Sequence, residues 1–159
     1  MRTLILFATK YGSVEKAAGL LKTKLKSEVD IVNLKIGPVP SLDNFDAIIL
    51  GGSIYVGKIQ HELYEFCKNN IEQLLSKKLG LFVCAGQTEL ALQEKQLAHA
   101  FPAELVAHAC VKETVGDEII LERMSLMDRW AVRLIKGIKL SYSNISDANL
   151  ERIAEKMNE

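Results

Sequence analysis

Leu4-Ile5-Leu6-Phe7-Ala8-Thr9-Lys10-Tyr11-Gly12-Ser13-Val14, followed by Ala17, Ala18, Leu21 and Leu25, decides how the rest of the chain reads. Five apolar residues run without alternation, the pattern of a strand covered on both faces, as in a parallel sheet. From Val14 the spacing changes to i, i+3, i+4, i+7 and i+11, one stripe of an amphipathic helix. Between them lies a short turn with the hydroxyls of Thr9 and Ser13 and a glycine. A strand that runs straight into a helix is the opening half of a βαβ unit.

The same alternation continues outward. Ala47–Leu50 and Leu79–Ala85 are further continuous apolar runs, whereas Val29–Leu34 alternates and suits a sheet edge. Leu105–Val111 is a weaker candidate for the fifth strand. Helical stripes lie between these runs: Leu63, Phe66, Cys67, Ile71, Leu74 and Leu75, then Leu90, Gln93, Leu97 and Ala98. The last is Leu150, Ile153, Ala154 and Met157, with Ser146 or Asp147 as its cap. Pro38 and Pro40 beside Gly37 break the chain between the second and third strands. Right-handed crossovers then give a doubly wound α/β sandwich, expected to form a single domain over residues 1–159.

One helix exceeds the minimal pattern. Met127, Trp130, Ala131, Leu134, Ile135 and Ile138 form an extra amphipathic helix before the C-terminal one. Its neighbourhood, Glu122 to Leu140, holds five basic residues against two acidic, while the whole chain balances twenty against twenty. Met124, Met127 and Trp130 are read as packing residues. Two roles stay open for the helix: lying on the sheet with a solvated basic face, or meeting a membrane or ligand.

Composition narrows the function. The chain has 159 residues, 48% of them hydrophobic and 25% charged, which is enough to bury a core. Zero formal net charge gives no reason to expect a nucleic-acid partner. Cys67, Cys84 and Cys110 make no CxxC, and His61, His99 and His108 have no ligand spacing with them, so no metal site is expected. No apolar run approaches about 18 residues, so no transmembrane helix is expected and a reducing cytoplasmic setting is. No residue is assigned as catalytic.

Ligands of an open α/β sheet bind outside the carboxyl ends of its strands. Three loops fall there. In Thr9-Lys10-Tyr11-Gly12-Ser13, a helix start offers unpaired N–H groups to an anion, or Ser13 merely caps the helix. Gly51-Gly52-Ser53-Ile54-Tyr55-Val56-Gly57 suits close backbone approach to a flat ligand on which Tyr55 could stack. Ala85-Gly86-Gln87-Thr88 adds backbone and amide groups at the same edge. Neither GxGxxG nor GxxxxGK[ST] occurs.

Phe7 to Val14, with Ala17-Ala18, resembles the FMN-phosphate loop of flavodoxins, and Gly51 to Gly57 resembles their second flavin loop. The resemblance implies a five-stranded parallel sheet in the order 2-1-3-4-5 and FMN as cofactor. It implies a site of Thr9, Lys10, Tyr11, Gly12, Ser13 and Val14 around the phosphate, Ser53, Ile54, Tyr55, Val56 and Gly57 at the flavin N5 edge, and Ala85, Gly86, Gln87 and Thr88 at the pyrimidine side. Within the superfamily the chain is most similar to the menaquinone-dependent protoporphyrinogen oxidases. That similarity lies in Thr9-Lys10-Tyr11-Gly12, Ser53-Ile54 with Gly57, Glu65-Phe66-Cys67-Lys68 and Asp128-Arg129-Trp130. This branch implies a porphyrinogen substrate in heme biosynthesis, a quinone acceptor, and peripheral contact with the inner face of a membrane through residues 123–140.

Two departures bear on affinity. Val14 and Tyr11 stand where flavodoxins often place phosphate-binding Thr residues; each lost hydroxyl donor costs about 0.5–1.5 kcal/mol. Residues 86–103 are also shorter than that branch of oxidases suggests. An electron-carrying flavodoxin, normally acidic around its flavin, and a flavin-free interaction module are the competing readings.

Overall fold

Each continuous apolar run becomes a strand because both of its faces find cover. In the computed structural model, which describes residues 1–159, β1 (Arg2–Phe7), β2 (Glu28–Asn33), β3 (Ala47–Ser53), β4 (Lys78–Cys84) and β5 (Val111–Thr114) form one parallel sheet in the order β2-β1-β3-β4-β5. The register places Leu6 opposite Leu50 and Leu50 opposite Leu81. Alternate positions along each strand feed separate cores. Ile5, Phe7, Ile49 and Phe82 pack under α1 (Ser13–Lys24) and α7 (Asp147–Asn158). Leu4, Leu6, Ile48, Leu50 and Leu81 pack against α2 (His61–Asn69), α3 (Ile71–Leu75), α4 (Leu90–Ala100) and α5 (Ala103–His108). Each such side chain contributes about 1.5–3 kcal/mol by leaving water, so the sheet is held from both faces. Ser146 caps α7, its hydroxyl accepting from Asn149 N at 3.2 Å.

Three segments differ from the sequence reading. Leu105–Val111 is not the fifth strand. Pro102, with its fixed φ, stands before a helical turn whose Leu105 and Ala109 are buried on one face, and the strand begins only at Val111. The stripe from Leu63 to Leu75 breaks at Asn70, whose Nδ2 donates to Phe66 O at 2.8 Å and ends α2. In α4 the inward residues are Leu97 and Ala100, and Leu90 is exposed.

Between β5 and α7 the chain makes an excursion: β6 (Glu118–Ile119), a 3-10 turn at Leu121–Arg123, α6 (Leu126–Ile135) and β7 (Tyr142–Ser143), with β6 and β7 paired antiparallel. Its base is closed by backbone bonds from Asn144 N to Asp117 O and from Ser146 N to Val115 O, both 2.7 Å. The excursion has a small core of its own, Leu121, Met124 and Val132, with Tyr11, Ile119 and Ile138 against it. Met124 packs as expected. Met127 and Trp130 do not. With Leu126, Leu134 and Ile135 they are 61–83% exposed, because both sheet faces are already covered and α6 lies at the sheet's carboxyl edge.

Candidate functional site

The three loops named from the sequence meet at that edge. In the first, Gly12 adopts φ +97°, a conformation that costs glycine little, and begins α1. Its N–H donates to Thr9 Oγ1 at 3.0 Å, so Thr9 shapes the turn as well as offering a hydroxyl. The first intrahelical bond is Lys16 N to Gly12 O, which leaves the N–H groups of Ser13, Val14 and Glu15 for an anion. The Val14 side chain is fully buried in the core, so only its backbone can face a ligand. A cleft of about 510 Å³ opens here, with the cations Lys10, Lys35 and Arg123 and the acid Glu15 on its wall.

The second loop spends most of its donors internally. Ser53 N donates to Gln60 Oε1 (3.0 Å), Ile54 N to Cys84 O (2.9 Å) and Tyr55 N to Lys58 O (2.8 Å). Gln60, buried and not singled out from the sequence, also donates to Ser53 Oγ at 2.7 Å. Only the N–H groups of Val56 and Gly57 remain without an acceptor, at a tight turn where Val56 takes φ +50° and Gly57 φ +76°. A β-branched residue in the left-handed region is strained, and such strain gathers at ligand sites.

In the third loop, Ala85 N donates to Gly116 O, while Gln87 turns back: its Oε1 accepts from Thr88 N and Glu89 N and caps the approach to α4. The Gln87 carbonyl of the side chain and the Thr88 N–H therefore serve the helix start rather than a ligand. Gly86 is pressed against Asp117; a Cβ there would meet Asp117 Oδ2 at 2.9 Å. Between the second and third loops lies a cleft of about 460 Å³, closed on its third side by Lys136, Ile138 and Tyr142 from the excursion.

Asp128, which the sequence reading did not place at the site, joins these parts. Its carboxylate accepts from the Tyr11 hydroxyl and from the Tyr55 hydroxyl (2.6 Å), and Lys10 Nζ is 3.0 Å away. Hydrogen bonds from Tyr11, then Tyr55 and Lys10, hold this carboxyl well below the usual carboxylate range. Tyr55 is thus tied to α6 rather than free to stack. Beside this knot, a cavity of about 90 Å³ touches all three loops, through Tyr11, Tyr55 and Gly86. The signal in the sequence was Ser125-x-x-Asp128: Ser125 Oγ accepts from Asp128 N at 3.1 Å, fixing the first turn of α6 beneath the loops.

Residues 4–146 match the model of the flavodoxin domain family. The chain belongs to this family. Among solved structures, this flavodoxin-domain chain is similar to a flavodoxin of Streptococcus pneumonia TIGR4, at 18% identity over 99% of this chain and 97% of that one, TM-score 0.59. A short-chain flavodoxin associated with a non-canonical PDU bacterial microcompartment gives 18% identity, 87% and 99% coverage, and TM-score 0.60. In sequence it is 33% identical over 79 residues to the protoporphyrinogen IX dehydrogenase [quinone] of Escherichia coli (strain K12), covering 48% of this chain and 44% of that protein. The flavodoxin-domain chain thus spans less than half the length of the curated relatives it matches. No helix of the chain is long and apolar enough to cross a membrane.

Proposed function

We propose that the chain binds FMN and acts as a redox enzyme of the quinone-linked protoporphyrinogen-oxidising kind, at the inner face of a membrane. The residues suit a mononucleotide at both ends: a helix start with three cations for the phosphate, and a cleft edged by the unsatisfied N–H groups of Val56 and Gly57 for the ring. FMN, when bound, supplies the electron chemistry. The protein's part is to hold it, exclude water and present one edge to a partner.

One observation favours an enzyme with a lipid-dissolved acceptor. The helix tied to both flavin loops through Asp128 turns Leu126, Met127, Trp130, Leu134 and Ile135 outward, beside the exposed cations Arg133, Lys136 and Lys139. An apolar stripe flanked by basic residues suits an anionic bilayer surface, and there a quinone arrives within reach of the site. The partial match to the quinone-linked dehydrogenase supports the same reading. The test loads the protein with FMN, then follows protoporphyrinogen IX oxidation with a menaquinone analogue, with and without anionic vesicles. A rate that rises with vesicles is expected. FMN uptake without any such rate would leave an electron carrier.

A further inference from the structure

Val14 carries no hydroxyl and the Tyr11 hydroxyl is spent on Asp128, so neither side chain donates at the phosphate end, and the structure brings a donor from elsewhere. Arg123 sits on the 3-10 turn of the excursion, far along the chain from the first loop, yet its guanidinium lies against Gly12: a Cβ on that glycine would be 3.2 Å from Arg123 Nη1. The backbone at Arg123 is fixed from both sides. Arg123 N donates to Ile120 O at 3.0 Å, and the neighbours Leu121 and Met124 are buried in the small core.

The side chain is otherwise uncommitted. Arg2, Arg129 and Arg152 each hold a carboxylate or carbonyl. The Arg123 guanidinium has no hydrogen bond and no ion pair with the protein, not even with Glu15 on the same cleft. Of the other two cations at that cleft, Lys10 is engaged by Asp128 at 3.0 Å and Lys35 lies 3.9 Å from Glu62. A planar fork of donors suits a phosphate dianion better than a lysine does, since two parallel N–H bonds form at once.

We infer that Arg123 grips the phosphate of the mononucleotide across the start of α1, replacing the hydroxyl donors that Val14 and Tyr11 do not supply in the usual way. This rests on the FMN reading above and assigns the phosphate specificity of that site to a residue of the excursion.

The test compares FMN with riboflavin, which has the same ring and no phosphate, by quenching of flavin fluorescence in the wild type, Arg123→Ala and Arg123→Lys. Arg123→Ala is expected to weaken FMN at least 10-fold and to leave riboflavin within twofold, with Arg123→Lys between. The salt dependence of FMN affinity is expected to be shallower in Arg123→Ala. Because Arg123 is exposed and without protein partners, folding of the variants is not at issue. Equal FMN affinity in wild type and Arg123→Ala, or an equal loss for FMN and riboflavin, would overturn the inference. A wild type that binds neither flavin would instead sink the FMN reading itself.

Discussion

Lys10 Nζ stands 3.7 Å above the centre of the Tyr55 ring, so the first loop grips the second through a cation and an aromatic face. Asp128 then closes the arrangement from below, because the same ammonium and the same phenol both reach its carboxylate. Three segments distant in sequence are held by one acid on α6.

Asp128→Asn is therefore expected to loosen the excursion without unfolding the sheet. Lys10 is exposed, the Asp128 carboxylate is partly covered, and an asparagine can still accept from both phenols, so the loss in global stability should be only about 1 kcal/mol. Proteolysis between residues 120 and 140 should quicken, and FMN should associate and dissociate faster once the two loops are no longer tied to α6. Limited proteolysis and stopped-flow fluorescence read the two effects.

The pH dependence follows from the direction of the shift at Asp128. A carboxyl whose folded value is depressed contributes fully above the ordinary Asp range near ~4 and loses that contribution as pH falls toward the folded value. The difference in melting temperature between wild type and Asp128→Asn should be flat from about pH 5 to 8 and shrink below about pH 4. A difference that vanished already at pH 6 would contradict this.

Thiol chemistry distinguishes the three cysteines. Burial pushes the Cys67 and Cys84 thiols up to about 12, whereas Cys110 is exposed. An aromatic disulfide reagent at pH 8 should titrate one thiol in the native protein and three in denaturant.

Gly116 takes φ +80°, and a Cβ there would lie 1.9 Å from the backbone oxygen of Asn144. Gly116→Ala should therefore cost about 2–3 kcal/mol or more, read by urea denaturation, and should displace the excursion where it leaves the core.

The strands and their order could be read from the chain because a parallel sheet buried on both faces leaves unbroken apolar runs, as in Leu4–Ala8 and Leu79–Ala85. β5 is hard to place from the chain because Val111–Thr114 is short and half-exposed while the helical turn before it, Ala103–His108, is the more apolar segment. At the site, Thr9, Gly12 and the Ser53–Gly57 turn stood out as local patterns. Arg123 and Asp128 did not, since their roles come from contacts with loops 73 or more residues away in the chain. The chain leaves the role of the α6 stripe open, and suggests packing for Met127 and Trp130, because periodicity reveals that a helix has an apolar face but not what that face meets.

The two short backbone bonds at Asp117 and Val115 carry a further consequence. The chain departs and returns at nearly one point, so residues 118–143 behave as a module mounted on a finished sandwich rather than as a link within it. Exchanging that module for a plain turn should spare the folding of the five strands while removing both the proposed phosphate grip and the proposed membrane contact.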